Sequence, residues 1–261
     1  MMTGDHLSRP APRGRYNGVL EIINFNRGFY AFTGLAIFCA MVGAMSLPAN
    51  LALPVMATSL IALAWMLTSL LVSHYVYDRS SLHDLRWLIP TLSRTPRSWT
   101  NIHSGLDQTT AWLRTLFPDS YGRVLDIYDP SEVTEPSIAR ARRVYPRTVD
   151  SVASDFRALP LDDASCDAIF IIFAAHELRQ RASRLLFFKQ VTRILANDGT
   201  VVLVEHLRDL ANGLAFGPGF FHFQSHREWL WVSREADLQV SREFSITPFV
   251  RVFVLNHFHV S

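Results

Sequence analysis

Between residues 28 and 77 about fifty consecutive positions pass without one Asp, Glu, Lys or Arg, far longer than a soluble core strand or helix manages. Such a run is membrane sequence. Leu47-Pro48-Ala49-Asn50, followed by Pro54, divides it into two segments of roughly twenty residues, each long enough to cross the hydrocarbon layer as a helix. The expectation is a transmembrane hairpin over residues 28–77. Arg9, Arg13, Arg15 and Arg27 stand ahead of it and Arg79, Arg86, Arg94 and Arg97 behind it, while the connecting loop is uncharged. That asymmetry puts both termini, and everything after the hairpin, on the cytoplasmic side of the inner membrane. A cleaved signal peptide is the competing reading; against it, the first run begins late, is long, and is followed at once by a second.

Residues 1–27 read as a cytoplasmic tail and a short element leading into the first span. The tail, rich in Gly, Pro and Arg, would lie near acidic lipid headgroups. Val19, Leu20, Ile22, Ile23 and Phe25 suit either an interfacial helix or an extension of the span. Beyond the hairpin, Tyr75, Tyr77, Trp87 and Trp99 supply an aromatic belt. A formal net charge of +2 gives no bulk attraction for nucleic acid, and no nucleic-acid partner is expected. Cys39 and Cys166 fall in a span and in a cytoplasmic turn, so no disulfide framework is expected.

Residues 78–261 form the second domain. Its clearest elements are two short runs rich in Ile, Val and Phe, residues 167–173 and 200–204, which read as buried parallel strands. Further strands are expected at 99–103, 123–129 and 148–154, with helices at 111–117, 135–144 and 180–195, and a turn at Asn197-Asp198-Gly199. Strand and helix alternating in this way predict an α/β fold with a doubly wound, mostly parallel sheet. Residues 212–223 are aromatic, glycine-rich and irregular, and read as a lid or substrate loop; 238–244 and 250–258 close the chain as two strands.

Both apolar strands end in clusters of ionisable groups, His176-Glu177-Leu178-Arg179 and Glu205-His206-Leu207-Arg208-Asp209. In an open α/β sheet that carboxyl edge is where ligands bind. His176 is the first candidate for general base or substrate orienter, since a neutral imidazole accepts a hydroxyl proton near pH 7. Glu177 is placed to fix its tautomer. Glu205 and His206 form a second acid and imidazole pair, and His222 hangs from the aromatic loop within reach of the same cleft, so any of these is an alternative base. Asp129, ending the second strand, stands where nucleotide-binding sheets hold ribose hydroxyls, with Asp126 as competitor and a turn cap as the bland reading. No second histidine follows His176-Glu177 at helical spacing, Gln180 taking that place, and no bound metal is expected. Phe216, Phe220, Phe221, Phe223, Trp229 and Trp231 are either core aromatics or the walls of a greasy portal.

The stretch Ser154-Asp155-Phe156-Arg157-Ala158-Leu159-Pro160-Leu161-Asp162-Asp163-Ala164-Ser165-Cys166-Asp167-Ala168-Ile169-Phe170, followed by Val191-Thr192-Arg193-Ile194-Leu195, Asn197-Asp198-Gly199 and the strand to Glu205-His206, resembles the class I S-adenosylmethionine-dependent methyltransferases. The resemblance implies a Rossmann-like sheet and S-adenosylmethionine as cofactor. It implies that Asp155 receives the adenine amino group, that Phe156 borders the ring, and that Ala174 lies along the cofactor at the end of the fourth strand. The family's three-glycine loop is reduced here to His103-Ser104-Gly105-Leu106-Asp107. The methionine moiety would lie along Gly105 with its ammonium near Asp107, or the segment is a turn capping the next helix.

Tyr16-Asn17, Asn24-Phe25-Asn26-Arg27, Tyr77-Asp78-Arg79-Ser80, Thr134-Glu135-Pro136-Ser137-Ile138-Ala139-Arg140-Ala141-Arg142, Ala175-His176-Glu177-Leu178-Arg179 and Glu205-His206-Leu207-Arg208-Asp209 resemble, more finely, a bacterial membrane-bound branch found with aryl polyene and flexirubin-type pigment genes. That implies a lipophilic acceptor taken from the bilayer and methylated on a phenolic or other hydroxyl oxygen, or on a ring carbon. The hairpin offers a surface for homo-oligomerisation. The alternative is a silent membrane subunit that keeps the sheet and scaffolds a biosynthetic complex.

Overall fold

The computed structural model describes residues 14–132, 136–145 and 147–258. The expected tail with Arg9 and Arg13, and Thr134-Glu135, lie outside the described residues.

Three helices open the chain, α1 (Asn17–Phe25), α2 (Arg27–Ala44) and α3 (Ala49–His74). The apolar run over 19–25 is a helix of its own, broken from α2 at Asn26. α2 and α3 are long and apolar enough to cross a membrane, and only 6% of either is buried. Their outward side chains, among them Phe32, Leu35, Phe38, Leu53, Ile61 and Leu71, are all exposed. α1 turns back onto the end of α3, where a π-helical turn spans Tyr75–Arg79. Tyr16 offers no side-chain cap, and the carboxylate of Asp78 takes over. It accepts from the backbone N–H groups of Gly18 (2.6 Å) and Val19 (3.0 Å), two of the donors a helix start leaves open. Gly18 has to be glycine, since a Cβ there would stand 2.6 Å from Tyr77 Cβ and 2.8 Å from Asp78 Oδ1.

Seven strands complete the sheet: β1 (Ser98–His103), β2 (Tyr121–Asp126), β3 (Ser151–Ala153), β4 (Cys166–Ile172), β5 (Leu195–Glu205), β6 (Leu238–Thr247) and β7 (Val250–His257). They lie in the order β3-β2-β1-β4-β5-β7-β6, the first five mutually parallel and β7 antiparallel to both its neighbours. The reversal at β1/β4 is the switch point that opens a crevice at the carboxyl edge. The helices α4 (Thr110–Leu116), α5 (Pro136–Val144), α6 (Arg181–Ile194), α7 (Leu210–Phe216) and α8 (His226–Glu235) complete the domain.

β4 and β5 read as unbroken apolar runs because both their faces are covered. Ile169, Ile171, Val201 and Leu203 point into one core with Phe187 and Trp229. Ala168, Phe170, Val202 and Val204 point into the other with Trp99 and Leu113. Val76, Leu82, Leu85 and Leu88 belong to this second core, so the segment after α3 is packed into the domain.

Several expected boundaries move. Asn197-Asp198-Gly199 is not a turn before a strand but lies within β5, where the register with β4 shifts between Cys166/Leu195 and Ala168/Thr200; a bulge absorbs the turn-forming residues. β2 ends at Asp126, leaving Asp129 in the loop beyond it. The segment over 212–223 is α7 and a 3-10 turn over Gly217–His222, and α8 carries Trp229 into the core.

Asp78→Ala removes the cap of α1 without touching the sheet. A cost of about 1–2 kcal/mol, confined to this helix, should appear as roughly five- to thirtyfold faster hydrogen exchange over residues 17–25 with the exchange of β4 and β5 unchanged.

Candidate active site

The carboxyl edge of β4 and β5 assembles four of the expected residues into one buried network. Glu205 ends β5 with its side chain fully buried. Its Oε1 accepts from the backbone N–H of Ala175 (3.0 Å) and of His176 (3.3 Å), and its Oε2 lies 2.6 Å from His176 Nδ1. The other ring nitrogen of His176 lies 3.3 Å from Glu177 Oε1, and His222 Nε2 approaches the same oxygen at 3.6 Å. Arg179 donates to both the Nδ1 and the carbonyl of His222.

Two carboxylates out of water require compensating positive charge. Burial by itself would lower the His176 pKa, but Glu205 and Glu177 override it and push it up to about 10. Glu177 is likewise drawn below the ordinary carboxylate range, against its own desolvation, by His176 and His222. At neutral pH His176 is an imidazolium with both N–H groups committed. With each ring nitrogen facing a carboxylate, His176 is better placed to orient the site than to act as general base. His176, Glu177 and His222 place one ligand atom each within 4.8 Å of one another, and Arg179 holds His222 from its other side.

His206 has the opposite character. Its ring is stacked between Phe173 (centroids 4.8 Å apart) and Phe223 (4.9 Å), and desolvation pushes its pKa down to about 4, the nearby His176 and His222 adding to the fall. Nδ1 faces the carbonyl of Phe249 at 2.8 Å, so Nδ1 carries the proton and donates. Nε2 is left as an acceptor, 2.8 Å from the hydroxyl of Tyr77. Phe173 is held at φ 52°, a left-handed conformation unusual for an aromatic residue, and this bend at the end of β4 is what carries its ring over His206. Tyr77 is the residue the sequence reading did not place at the site. Its adjacency to the apolar run made it look like a belt aromatic.

A cavity of about 230 Å³ opens beside this pair. His103 and Ser104 from the β1 turn form one wall, Ile172, Phe173, His176 and Glu177 from the end of β4 another, and His206 and Phe223 a third. Tyr77, the α1 residues Gly18, Glu21, Ile22 and Phe25, and Asn26 after them close it from the side of the N-terminal helices. Three buried atoms on its walls, His103 Nδ1, Ser104 Oγ and Glu177 Oε2, have no hydrogen-bond partner among the described residues. A polar ligand would satisfy them.

The other expected cofactor contacts lie apart from this cavity. Gly105 takes φ 90°, as only glycine does readily, but a Cβ there would meet Tyr128, Ile138 and Arg142 at 3.0–3.1 Å, so α5 lies over the turn. Asp126 accepts from Gly105 N–H (2.9 Å) and pairs with Arg142 (2.6 Å). Asp107 caps α4 through Thr109 and Thr110. Asp129 and Asp155 both face Arg157 at 3.3 Å, whose guanidinium stacks 4.0 Å over the buried Phe156 ring. Ala174 is buried in the core. The structure thus brings His103, His176, Glu177, His206 and the neighbouring Glu205 and His222 together, and sets Asp129, Asp155 and Phe156 in a second group.

Residues 104–203, from the β1 turn into β5, match the model of a methyltransferase domain. The fold is shared with an S-adenosylmethionine-dependent methyltransferase of Methanosarcina mazei (12% identity, covering 67% of this chain and 98% of that one, TM-score 0.50). It is also shared with the mitomycin 7-O-methyltransferase MmcR (12%, 94% and 74%, TM-score 0.51) and the pyocyanin biosynthetic protein PhzM (17%, 72% and 57%, TM-score 0.51). No curated protein matches the chain by sequence.

The two histidines give opposite pH dependences. The folded pKa of His206, about 4, lies below its ordinary value of 6.5, so its stabilising contribution is present above pH 6.5 and lost as pH falls toward 4. The folded value of His176, about 10, lies above, so its contribution is full below 6.5 and lost as pH rises through 10. Denaturation in detergent across this range should show a stability maximum near pH 6.5, and a ¹⁵N-histidine spectrum should show His206 neutral and His176 doubly protonated at pH 7.

Proposed function

Because residues 104–203 match the model of a methyltransferase domain, we propose that the protein is a membrane-anchored, S-adenosylmethionine-dependent methyltransferase acting on a lipophilic, aromatic hydroxyl acceptor. The observation that carries this reading is the cavity itself. It lies between the carboxyl edge of the sheet and α1, the helix that leads into the apolar hairpin, and it presents a neutral imidazole beside apolar and aromatic walls.

The exposed apolar faces of α2 and α3 support membrane anchoring. Arg27 before them and Arg79, Arg86, Arg94 and Arg97 after them, with an uncharged turn between, favour a cytoplasmic domain. When bound, S-adenosylmethionine supplies an electrophilic methyl group on its sulfonium. The β1 turn at His103, Ser104 and Gly105 would hold its amino-acid end, and Asp129, Asp155 and Phe156 its nucleoside end. For both groups to reach one molecule, α5 with Ile138 and Arg142 has to yield from Gly105.

The chain's own chemistry is to orient and deprotonate the acceptor. A hydroxyl entering the cavity meets the Tyr77–His206 pair. Tyr77 passes its proton to Nε2 as it takes the acceptor's, or the acceptor displaces Tyr77 and donates to Nε2 directly; in either case the oxygen gains nucleophilicity. The doubly paired His176 fixes the edge of the site, its two ring nitrogens held by Glu205 and Glu177. Aromatic walls, Phe173 and Phe223, suit an aromatic ring next to that hydroxyl. O-methylation is chemistry this fold performs in MmcR, as its name states. The finer resemblance to the pigment-associated branch, carried by Tyr77-Asp78-Arg79-Ser80 and Glu205-His206-Leu207-Arg208-Asp209, fits an acceptor of this class.

Calorimetric titration of the detergent-solubilised protein with S-adenosylhomocysteine should show micromolar binding, retained in His206→Ala. Turnover on an alkylated phenol should fall by about 10²–10⁴ in His206→Ala and less in Tyr77→Phe. A folded protein that binds no cofactor would overturn the reading, and full turnover in His206→Ala would overturn the base.

A further inference from the structure

We infer that α7 and the turn after it, residues 210–221, are buried among lipid acyl chains beside α3, a second and non-spanning membrane contact made by the methyltransferase domain itself. The inference rests on the membrane-anchored reading of α2 and α3. It starts from one hydrogen bond: the indole Nε1 of Trp65, in α3, donates to the carbonyl of Leu214 at 2.7 Å. Leu214 stands among the last four residues of α7, whose carbonyls have no partner within the helix. Each group therefore solves the other's problem: an indole N–H on a membrane helix needs an acceptor, and a helix end in lipid needs donors. Gly217 packs on the same indole, a Cβ there standing 3.4 Å from the Trp65 ring, and it is held at φ 55°.

Depth follows from helix geometry. Trp65 lies sixteen residues after Ala49, the start of α3, which is about 24 Å along the axis at 1.5 Å per residue. The hydrocarbon layer is roughly 30 Å thick. With the start of α3 at the far boundary, Trp65 and the Leu214 carbonyl bonded to it lie inside the near one. The chain around this contact has the chemistry that position demands. Residues 210–221 carry no Asp, Glu, Lys or Arg. Leu210 and Leu214, one helical turn apart, are 77% and 63% exposed, and Phe221 is 62% exposed. A soluble surface would leave three large apolar side chains in water next to an equally exposed apolar helix; acyl chains cover both without a seam. The same segment bears Phe216 and leads to Phe223, whose rings lie 5.6 and 4.9 Å from that of His206, so an acceptor dissolved in that leaflet reaches the imidazole without crossing water.

The test uses the full chain in phosphatidylcholine vesicles with Cys39→Ser as background, Cys166 being buried. An environment-sensitive fluorophore is attached in turn at Leu210→Cys, Leu214→Cys and Phe221→Cys. Leu60→Cys on α3 reports the anchor and Lys189→Cys on α6 reports the far surface, both exposed in the fold. Brominated acyl chains should quench the labels at 210, 214 and 221 several-fold, as they quench the label at 60, while aqueous iodide quenches only the label at 189. Lipid quenching at 60 with iodide quenching at 210, 214 and 221 would overturn this inference and leave the anchor standing. Iodide quenching at 60 as well would overturn both.

Discussion

The carboxylate of Asp78 is the joint on which the arrangement turns. It sits one residue past Tyr77 at the end of the second apolar helix, its side chain almost wholly buried. There it accepts from Gly18 and Val19 and lies 2.9 Å from His74 Nδ1. Negative charge at a helix start complements the dipole and satisfies open donors, so α1 is held across the end of α3 and not left as a prolongation of α2. The π-helical turn that presents Asp78 to α1 also presents Tyr77 to the domain. Insertion of a residue into a helical turn rotates the chain beyond it, and π turns of this kind recur at functional sites. One local distortion thus fixes a wall of the cavity and the hydroxyl bonded to His206.

The site also shows how environment separates two like residues. His176 and His206 are both buried histidines beside strand ends, and composition alone makes them equivalent. The carboxylates on His176 outweigh its burial, while His206, between phenyl rings, is governed chiefly by burial, with the nearby His176 and His222 adding to the fall. One becomes a fixed cation and the other a fixed acceptor. Proximity to Glu205 decides which: its carboxylate reaches back across the strand ends to the β4 loop and not to the residue next to it in the chain.

Much of the architecture was legible because its signals are periodic. The two-sided apolar runs of β4 and β5 and the alternation of strands with helices follow from burial on a regular lattice, the charge-free stretch over residues 28–77 is legible from its length, and the seven-stranded sheet bears out the fold class. What escaped depends on contacts between distant segments. Asn197-Asp198-Gly199 has turn chemistry, yet pairing with β4 draws it into a strand as a bulge. Asp107 looks like a ligand acid until α4 claims its oxygen, and α8 hides Trp229 with a helical pattern too short to stand out from its aromatic surroundings. Tyr77 at the site could not be read at all, since its partner lies 129 residues away.

The packing of the N-terminal helices against the site bears on what the cavity can accept. Were the hairpin a mere tether, its value would be the effective concentration it gives the domain near lipid, and the cavity would be complete without it. Here α1 and Tyr77 are walls, and Val76 and Leu82 are core. Cutting the chain after residue 78 would open the cavity, strip the partner from His206 and expose a hydrophobic core, so loss of activity in such a fragment says nothing about acceptor solubility. Selectivity rests on the cavity, where polar atoms without hydrogen-bond partners among the described residues cluster at the β1 turn and at Glu177, while the α1 side sets Ile22 and Phe25 beside Glu21 and Asn26. A ligand that fills it meets those polar atoms at the sheet edge and, toward α1, apolar Ile22 and Phe25 together with polar Glu21 and Asn26, so polarity as well as apolar contact on that wall selects what enters.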